Sequence, residues 1–540
     1  MAEYNWSALA MDRRRFVTGT LTASATLMAP RFADAQQPTT LVGVLEEDPP
    51  GFNSAITSTI STFATSSPVH QGLTLIMADG TIEPLLAKSW EISPDGLTYT
   101  FHLRDDVMWH DGHPFTSADV KFSIENANGK LHPWGKVAYK PLKAIETPDD
   151  HTVIYRLSAP SASLMSATDR AVGAIIPKHL WEGKNIATDP LNQKPVGTGP
   201  YKLVAYERGK EVRYERNPNY FIKGAPLVDQ LIFRIMPDPA TRISALQQGE
   251  VDMIYWNALP QSEVARLSRL PNLQITKSPN RGAAYQAVYN LKNQYLGNKD
   301  VRKAFAHAID RKFIRESVDG GLTSSEQLGP VSPASPLYNK ALKDYAFDPA
   351  LANKLLDQAG FPRGADGNRF TIEIAWPSFN VAAGKIADII KQNLAAVGVG
   401  VKLFSADRAA MIQRCYVGGQ FDIAIEAHAI GPDPDIGTER FYNSRNIQPL
   451  PYVNNSSYVN AEVDKLFDEQ RSLIDLDKRK VVYDKIQEII WDDLPIMALY
   501  QVVFNNVSRK QYAVDIFEDN GNGTWESFDR AKIVGVHTKA

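Results

Sequence analysis

Ser93-Pro94-Asp95-Gly96-Leu97-Thr98-Tyr99-Thr100-Phe101-His102-Leu103-Arg104, running on through Asp105-Asp106-Val107-Met108 to Trp109-His110-Asp111-Gly112-His113-Pro114-Phe115, is the stretch from which the fold is read. Asp95-Gly96 is a turn signal. After it Leu97, Tyr99, Phe101 and Leu103 alternate with Thr98, Thr100 and His102, the pattern of a half-buried strand. Asp111-Gly112 marks a second turn, and Thr116 with Asp119 three residues later is the cap of a helix. Two histidines and an aspartate within the turn suggest a metal. Such a turn rarely completes a site alone and no second ligand cluster is evident, so a strand-turn-helix is expected and no metal.

The same alternation recurs outward, at Val153, Tyr155 and Leu157 and at Val212 and Tyr214. Leu41-Val42-Gly43-Val44-Leu45 is a short buried strand. Helices follow later. Val301, Ala304, Phe305, Ala308 and Ile309 form a core-facing stripe. Asp348 caps a helix begun by Pro349 and ended by Gly360, and Val463 to Phe467 and Val482 to Ile490 begin two more. An apolar helix over 386–397 precedes Val399-Gly400-Val401-Lys402-Leu403, and Phe421-Asp422-Ile423-Ala424-Ile425 is another strand-like run. Helix and strand in alternation predict an α/β body around a central sheet.

The chain has 540 residues, 44% hydrophobic and 22% charged, enough for several domains and too apolar for global disorder. A net charge of −3 offers no basic excess, so nucleic acid is not an expected partner. The single cysteine, Cys415, excludes a disulfide framework and is read as a buried small residue. Residues 1–35 hold an export signal region. Arg13-Arg14-Arg15-Phe16-Val17 resembles the twin-arginine pattern, a mildly apolar stretch follows, and Ala33-Asp34-Ala35 supplies the cleavage site. The mature chain is expected to start at Gln36, in the periplasm, with no membrane-spanning segment.

Catalytic motifs are thin. Gly197-Thr198-Gly199-Pro200-Tyr201 opens like a phosphate loop, but strand rather than helix follows. Neither G-x-S-x-G before a helix nor H-E-x-x-H occurs. Asp433-Pro434-Asp435 reads either as a ligand-bearing loop at a strand exit or as a proline-fixed helix cap. Trp376-Pro377-Ser378 leaves the strand Phe370-Thr371-Ile372-Glu373-Ile374 and either lines a pocket or packs in the core.

Together these segments resemble the large periplasmic solute-binding proteins of ABC importers in the dipeptide/oligopeptide/nickel group. Four motifs, in the family's order, carry the resemblance over nearly the whole mature chain. The first is Leu86 to Trp90 with Ser93 to Val120. The second is Pro195 to Tyr201 with Arg216-Asn217-Pro218-Asn219-Tyr220. The third is Asn290 with Asp300-Val301-Arg302-Lys303-Ala304-Phe305-Ala306-His307-Ala308-Ile309-Asp310-Arg311, and the fourth runs from Phe421-Asp422-Ile423 to Asp433-Pro434-Asp435.

The resemblance implies an α/β, two-lobed periplasmic binding protein fold of type II, with an extra subdomain inserted in the first lobe. The first lobe would combine 36–74, 187–288 and 502–540. The inserted subdomain would be 75–186 and the second lobe 289–501, with crossovers near 286–290 and 496–502. It implies capture of a small solute between lobes that close over it, and delivery to permease subunits in the inner membrane. A monomer, no cofactor and no bond made or broken are expected. Peptide binders of the family place an ammonium-pairing aspartate four residues before the proline. Here that position is Ile430, so Asp433 or Asp435 would have to serve instead. A peptide or peptide-like solute is the leading ligand class, with an opine, oligosaccharide or metal chelate as the alternative. An exported hydrolase with paired carboxylates in the cleft is the competing class. Expected ligand contacts, chosen at strand exits by polar or aromatic type, are Glu46, His70, Tyr289, Trp376, His428, Asp433, Asp435 and Arg440.

Overall fold

The computed structural model describes residues 39–57, 59–77, 81–255, 258–277, 283–319, 324–333, 335–378, 380–429, 433–502, 505–510, 513–514 and 533–534. The expected export signal, Ile430 and most of 511–540 lie outside the described residues.

The alternating segments are strands, and their buried faces build the first core. Thr98–Leu103 and Thr152–Leu157 pair antiparallel at the centre of a four-stranded sheet, flanked by Ala87–Ile92 and Leu142–Asp149. Tyr99, Phe101, Val153 and Tyr155 are almost wholly buried, packing on Trp109, Phe115, Val120 and Trp134. Burying each such side chain contributes roughly 1.5–3 kcal/mol. Helix Ser117–Ser123 starts with the expected reciprocal cap between Thr116 and Asp119.

A second four-stranded sheet runs in the order Thr40–Leu45, Gln230–Ile235, Glu211–Arg216, Tyr201–Glu207, its first pair parallel and the rest antiparallel. Beside it, Asn505–Arg509 lies between Met253–Ile254 and Leu273–Lys277. Val44, Leu246, Ile254 and Val507 share one core, so these two sheets form one body. The segment at Gly197 is architectural. Gly199 N donates to Val69 O at 2.9 Å, and a Cβ on Gly197 would overlap the same carbonyl oxygen, so only glycine allows this close approach.

The third body is a six-stranded sheet in the order Ser324–Ser325, Ile496–Val502, Ala283–Tyr289, Ile423–Ala429, Phe370–Pro377, Val399–Ala406. Ile423–Ala429, Phe370–Pro377 and Val399–Ala406 are parallel, while Ala283–Tyr289 runs against both its neighbours. One face, with Ile372, Ile374, Ile423 and Ile425, is covered by helices Lys299–Ala308, Pro349–Gln358 and Val381–Ala396. The other, with Ala375 and Ala424, is covered by Ala461–Arg471 and Leu476–Asp493. The Asp348 carboxylate accepts from Leu351 N at 2.9 Å, as its position before Pro349 predicts.

All of Ala283–Tyr289 belongs to this sheet, six residues before the boundary expected at 289. Ala283–Tyr289 and Ile496–Val502, the strands on which the crossovers were expected near 286–290 and 496–502, pair with each other in this sheet. The fourth motif also differs. Its strand is not Phe421 to Ile425 but Ile423–Ala429, which puts Glu426 and His428 on the strand itself.

Candidate functional site

Parallel pairing brings the carboxyl ends of Phe370–Pro377, Val399–Ala406 and Ile423–Ala429 to one edge of the six-stranded sheet, where ligands of open α/β sheets bind. The antiparallel strand Ala283–Tyr289 contributes its first residues there, Ala284 lying opposite His428. Tyr285 stands at that edge, its hydroxyl donating to Asn380 Oδ1 at 3.0 Å and its ring 5.2 Å from that of Tyr500. Tyr289 is paired with Ile423, at the opposite end of the sheet. It is fully buried with its hydroxyl 3.7 Å from Met497 Sδ, so it is a core residue and not a contact at the strand exits. Trp376 is half-buried at the edge, packed against Gly384 of the following helix.

The period of two along the strand places Glu426 and His428 on one face, and both are buried. The Tyr416 hydroxyl donates to Glu426 Oε2 at 2.5 Å, and His428 Nε2 bonds the same oxygen. Asn455 Nδ2 reaches Glu426 Oε1 at 3.4 Å, and Asn455 Oδ1 is buried with no hydrogen-bond partner among the described residues. The His428 ring stacks on Phe441 with centroids 4.4 Å apart, and the Arg440 guanidinium lies 4.5 Å from the centre of the same ring. Burial first, then the Glu426 charge, holds the Tyr416 phenol well above its ordinary range, so it remains a donor. Burial pushes Arg440 down to about 10, which still leaves it cationic at neutral pH.

Asp433 and Asp435 are both engaged by the protein. Asp433 caps helix Pro434–Gly437, accepting from Asp435 N at 2.9 Å, as the helix-cap reading of Asp433-Pro434-Asp435 has it. Its two oxygens meet Arg479 at 2.6 and 2.7 Å. Asp435 accepts from Gln470 Nε2 at 2.7 Å, Arg471 Nε at 3.1 Å and Ser163 Oγ at 2.6 Å. Glu439 pairs with Arg471 beside it, and burial together with the Asp435 charge pushes the Glu439 carboxyl up. Ser163 belongs to the segment that follows the alternating sheet, and Ala162 N donates to Arg471 O at 3.0 Å. The segment at 162–163 thus meets the third body directly over this cluster.

Glu46 is half-buried at the carboxyl end of Thr40–Leu45, within reach of the Arg242 charge. His70 is buried, and burial followed by the nearby His110 and Arg170 charges lowers it to about 3, so it is a neutral interior residue. The structure brings together His428 and Arg440 on one side and Asp433 with Asp435 on another. Glu46 and His70 lie in other bodies of the fold. The sequence reading missed Tyr416, Glu426, Phe441 and Asn455. A glutamate alternating with histidine inside an otherwise apolar strand was the available signal.

Residues 81–449 match the family of bacterial extracellular solute-binding proteins, family 5 (middle). The chain belongs to this family. Among its relatives, the dipeptide-binding protein of Escherichia coli is 29% identical over 92% of this chain and 96% of its own length. The periplasmic binding protein DppA of Helicobacter pylori, solved with the peptide STSA, superposes with a TM-score of 0.78 at 26% identity, covering 92% of this chain and 98% of its own. AgaA of A. tumefaciens, solved with agropinic acid, gives a TM-score of 0.76 at 28% identity, covering 92% and 99%. This family-5 chain therefore has the two-lobed type II binding-protein fold and is a solute-binding component of an ABC importer. Among the described residues no helix is long and apolar enough to cross a membrane.

Proposed function

We propose that this protein captures a peptide or peptide-like solute between two lobes outside the cytoplasm and delivers it unchanged to the permease of its importer. The lobes are taken as 39–277 with the strand at 505–509, and 283–502, the segment around 87–176 forming an inserted part of the first. A ligand that contacts both lobes only when they are closed shifts the population toward the closed form, which is the form a permease would recognise.

The observation that carries the ligand class is the pair of under-used acceptors at the strand-exit edge. Among the described residues, Glu426 Oε1 has only the 3.4 Å contact from Asn455, and Asn455 Oδ1 has no partner. A buried carboxylate beside a buried amide oxygen suits a donor-rich cation such as an ammonium group. Asp433 and Asp435 are held by Arg479 and Arg471, which leaves Glu426 for that role. Relatives named for dipeptides support the same class.

Calorimetric titration with a dipeptide panel tests the reading. Glu426→Gln keeps the shape and removes the charge, and a charged hydrogen bond contributes about 1.5–3 kcal/mol, so affinity should fall about 10- to 100-fold. Unchanged affinity, or a released native ligand without a cationic group, would overturn it. The arginine pair at Arg13-Arg14 supports export by the twin-arginine route. Cell fractionation should place a chain starting at Gln36 in the periplasm.

A further inference from the structure

The turn at 109–115 was read from sequence as purely architectural because its two histidines and aspartate had no companion. The fold supplies one, 68 residues beyond Asp111. We propose that Asp111, His113 and His179 form a surface site for a transition-metal dication of the zinc or nickel class, separate from the solute site.

The donor atoms of these three residues all lie within 4.8 Å of one another. Asp111 Oδ2 is 2.7 Å from His179 Nε2, and Asp111 Oδ1 is 3.2 Å from His113 Nδ1. The two imidazole rings are stacked, with centroids 4.1 Å apart. Two imidazolium ions at that spacing repel each other, whereas one dication uses the lone pairs of both rings and the carboxylate between them. Two nitrogens and one oxygen suit zinc, nickel or copper rather than calcium or magnesium, which take oxygen ligands. A metal 2.0–2.1 Å from each donor places donors no more than about 4 Å apart. His113, more than half exposed, can make the closing movement of under about 1 Å.

The backbone beneath is well held. Trp109 N donates to His113 O and Gly112 N to Trp109 O, at 2.8 and 2.9 Å, with Gly112 at φ +90°. Asp119 ties both segments together, accepting from Trp109 Nε1 at 3.3 Å and from Lys178 N at 2.8 Å. His110 is turned away, its Nε2 bonding Gly199 O at 2.9 Å. Solvent would complete the coordination.

The test is calorimetric titration of the chelator-stripped mature chain with zinc chloride at pH 7.5. One equivalent should bind, reversibly with EDTA. His113→Ala and His179→Ala should each weaken binding by about tenfold or more, since even outer-shell changes at metal sites cost that much. Both histidines are exposed, and the metal-free melting curves of the variants should match the parent. No saturable uptake overturns the proposal. So does uptake that survives both substitutions, or that is lost instead with His102→Ala, at the other exposed histidine–carboxylate contact of this segment.

Discussion

Arg479→Met should destabilise the protein by about 3–5 kcal/mol, the cost of leaving a buried carboxylate without its cation. Arg479 and Asp433 are both buried, and the two contacts of 2.6 and 2.7 Å take both carboxylate oxygens. Arg479 also donates to Gln470 Oε1 at 2.9 Å, and Gln470 in turn holds Asp435. Three carboxyl groups, Asp433, Asp435 and Glu439, share two guanidinium groups, Arg471 and Arg479. Burial, with the Asp435 charge beside it, holds the Glu439 carboxyl above its ordinary range. Removing Arg479 leaves one cation for the cluster. Urea denaturation measures the loss, and Asp433→Asn added to Arg479→Met should restore part of it. Losses that simply add would show that the pair is not energetically coupled. Ser163 and the Ala162 amide reach this cluster from the segment that follows Thr152–Leu157, so the same variant should loosen that contact.

Acid should destabilise the fold from about pH 6.5 downward, through buried histidines. His70 and His132 are buried, and burial lowers each from about 6.5 to about 3. His132 Nδ1 accepts from the backbone amides of Trp134 and Gly135, at 3.2 and 3.1 Å, so protonation there would break two hydrogen bonds. His110 is lowered to about 4, again chiefly by burial. In the unfolded chain all three take up a proton near pH 6.5, and in the folded chain they do not. Their contribution is complete above about pH 6.5 and is lost progressively as pH falls toward 3. Between pH 7 and 5 the loss is about 2 kcal/mol for each of His70 and His132, with His110 acting in the same direction. His132→Asn keeps an acceptor without a titrating group. It should reduce the difference between denaturation curves at pH 7 and pH 5 by about that amount. An unaltered difference would mean that His132 is protonated in the folded state.

Local chemistry was readable from the sequence, and long-range pairing was not. The alternation at Leu97 to Leu103, the cap at Asp348 and the stripe through Val301, Ala304, Phe305 and Ala308 are set within one strand or a few helical turns. Each appears as expected. Tyr289 was misplaced because the direction of its strand relative to Ile423–Ala429 is decided more than a hundred residues away. The end of Ile423–Ala429 was missed because Glu426 and His428 break the apolar run. Their burial is stabilised by Tyr416, Asn455 and Phe441, none of them on that strand. Arg479 stands 46 residues after Asp433, and no spacing rule links them.

The strand Asn505–Arg509 fills the middle of its three-stranded sheet, and Ile496–Val502 pairs with Ala283–Tyr289 in the six-stranded one. Both partners of Asn505–Arg509 are made more than two hundred residues earlier. During synthesis, therefore, neither body can close its sheet until almost the entire chain has left the ribosome. Early strands wait with open edges, which invites pairing with other nascent chains. A chain cut short after residue 495 would lack a strand in two bodies at once, so loss of its tail should be felt throughout the molecule rather than at one end.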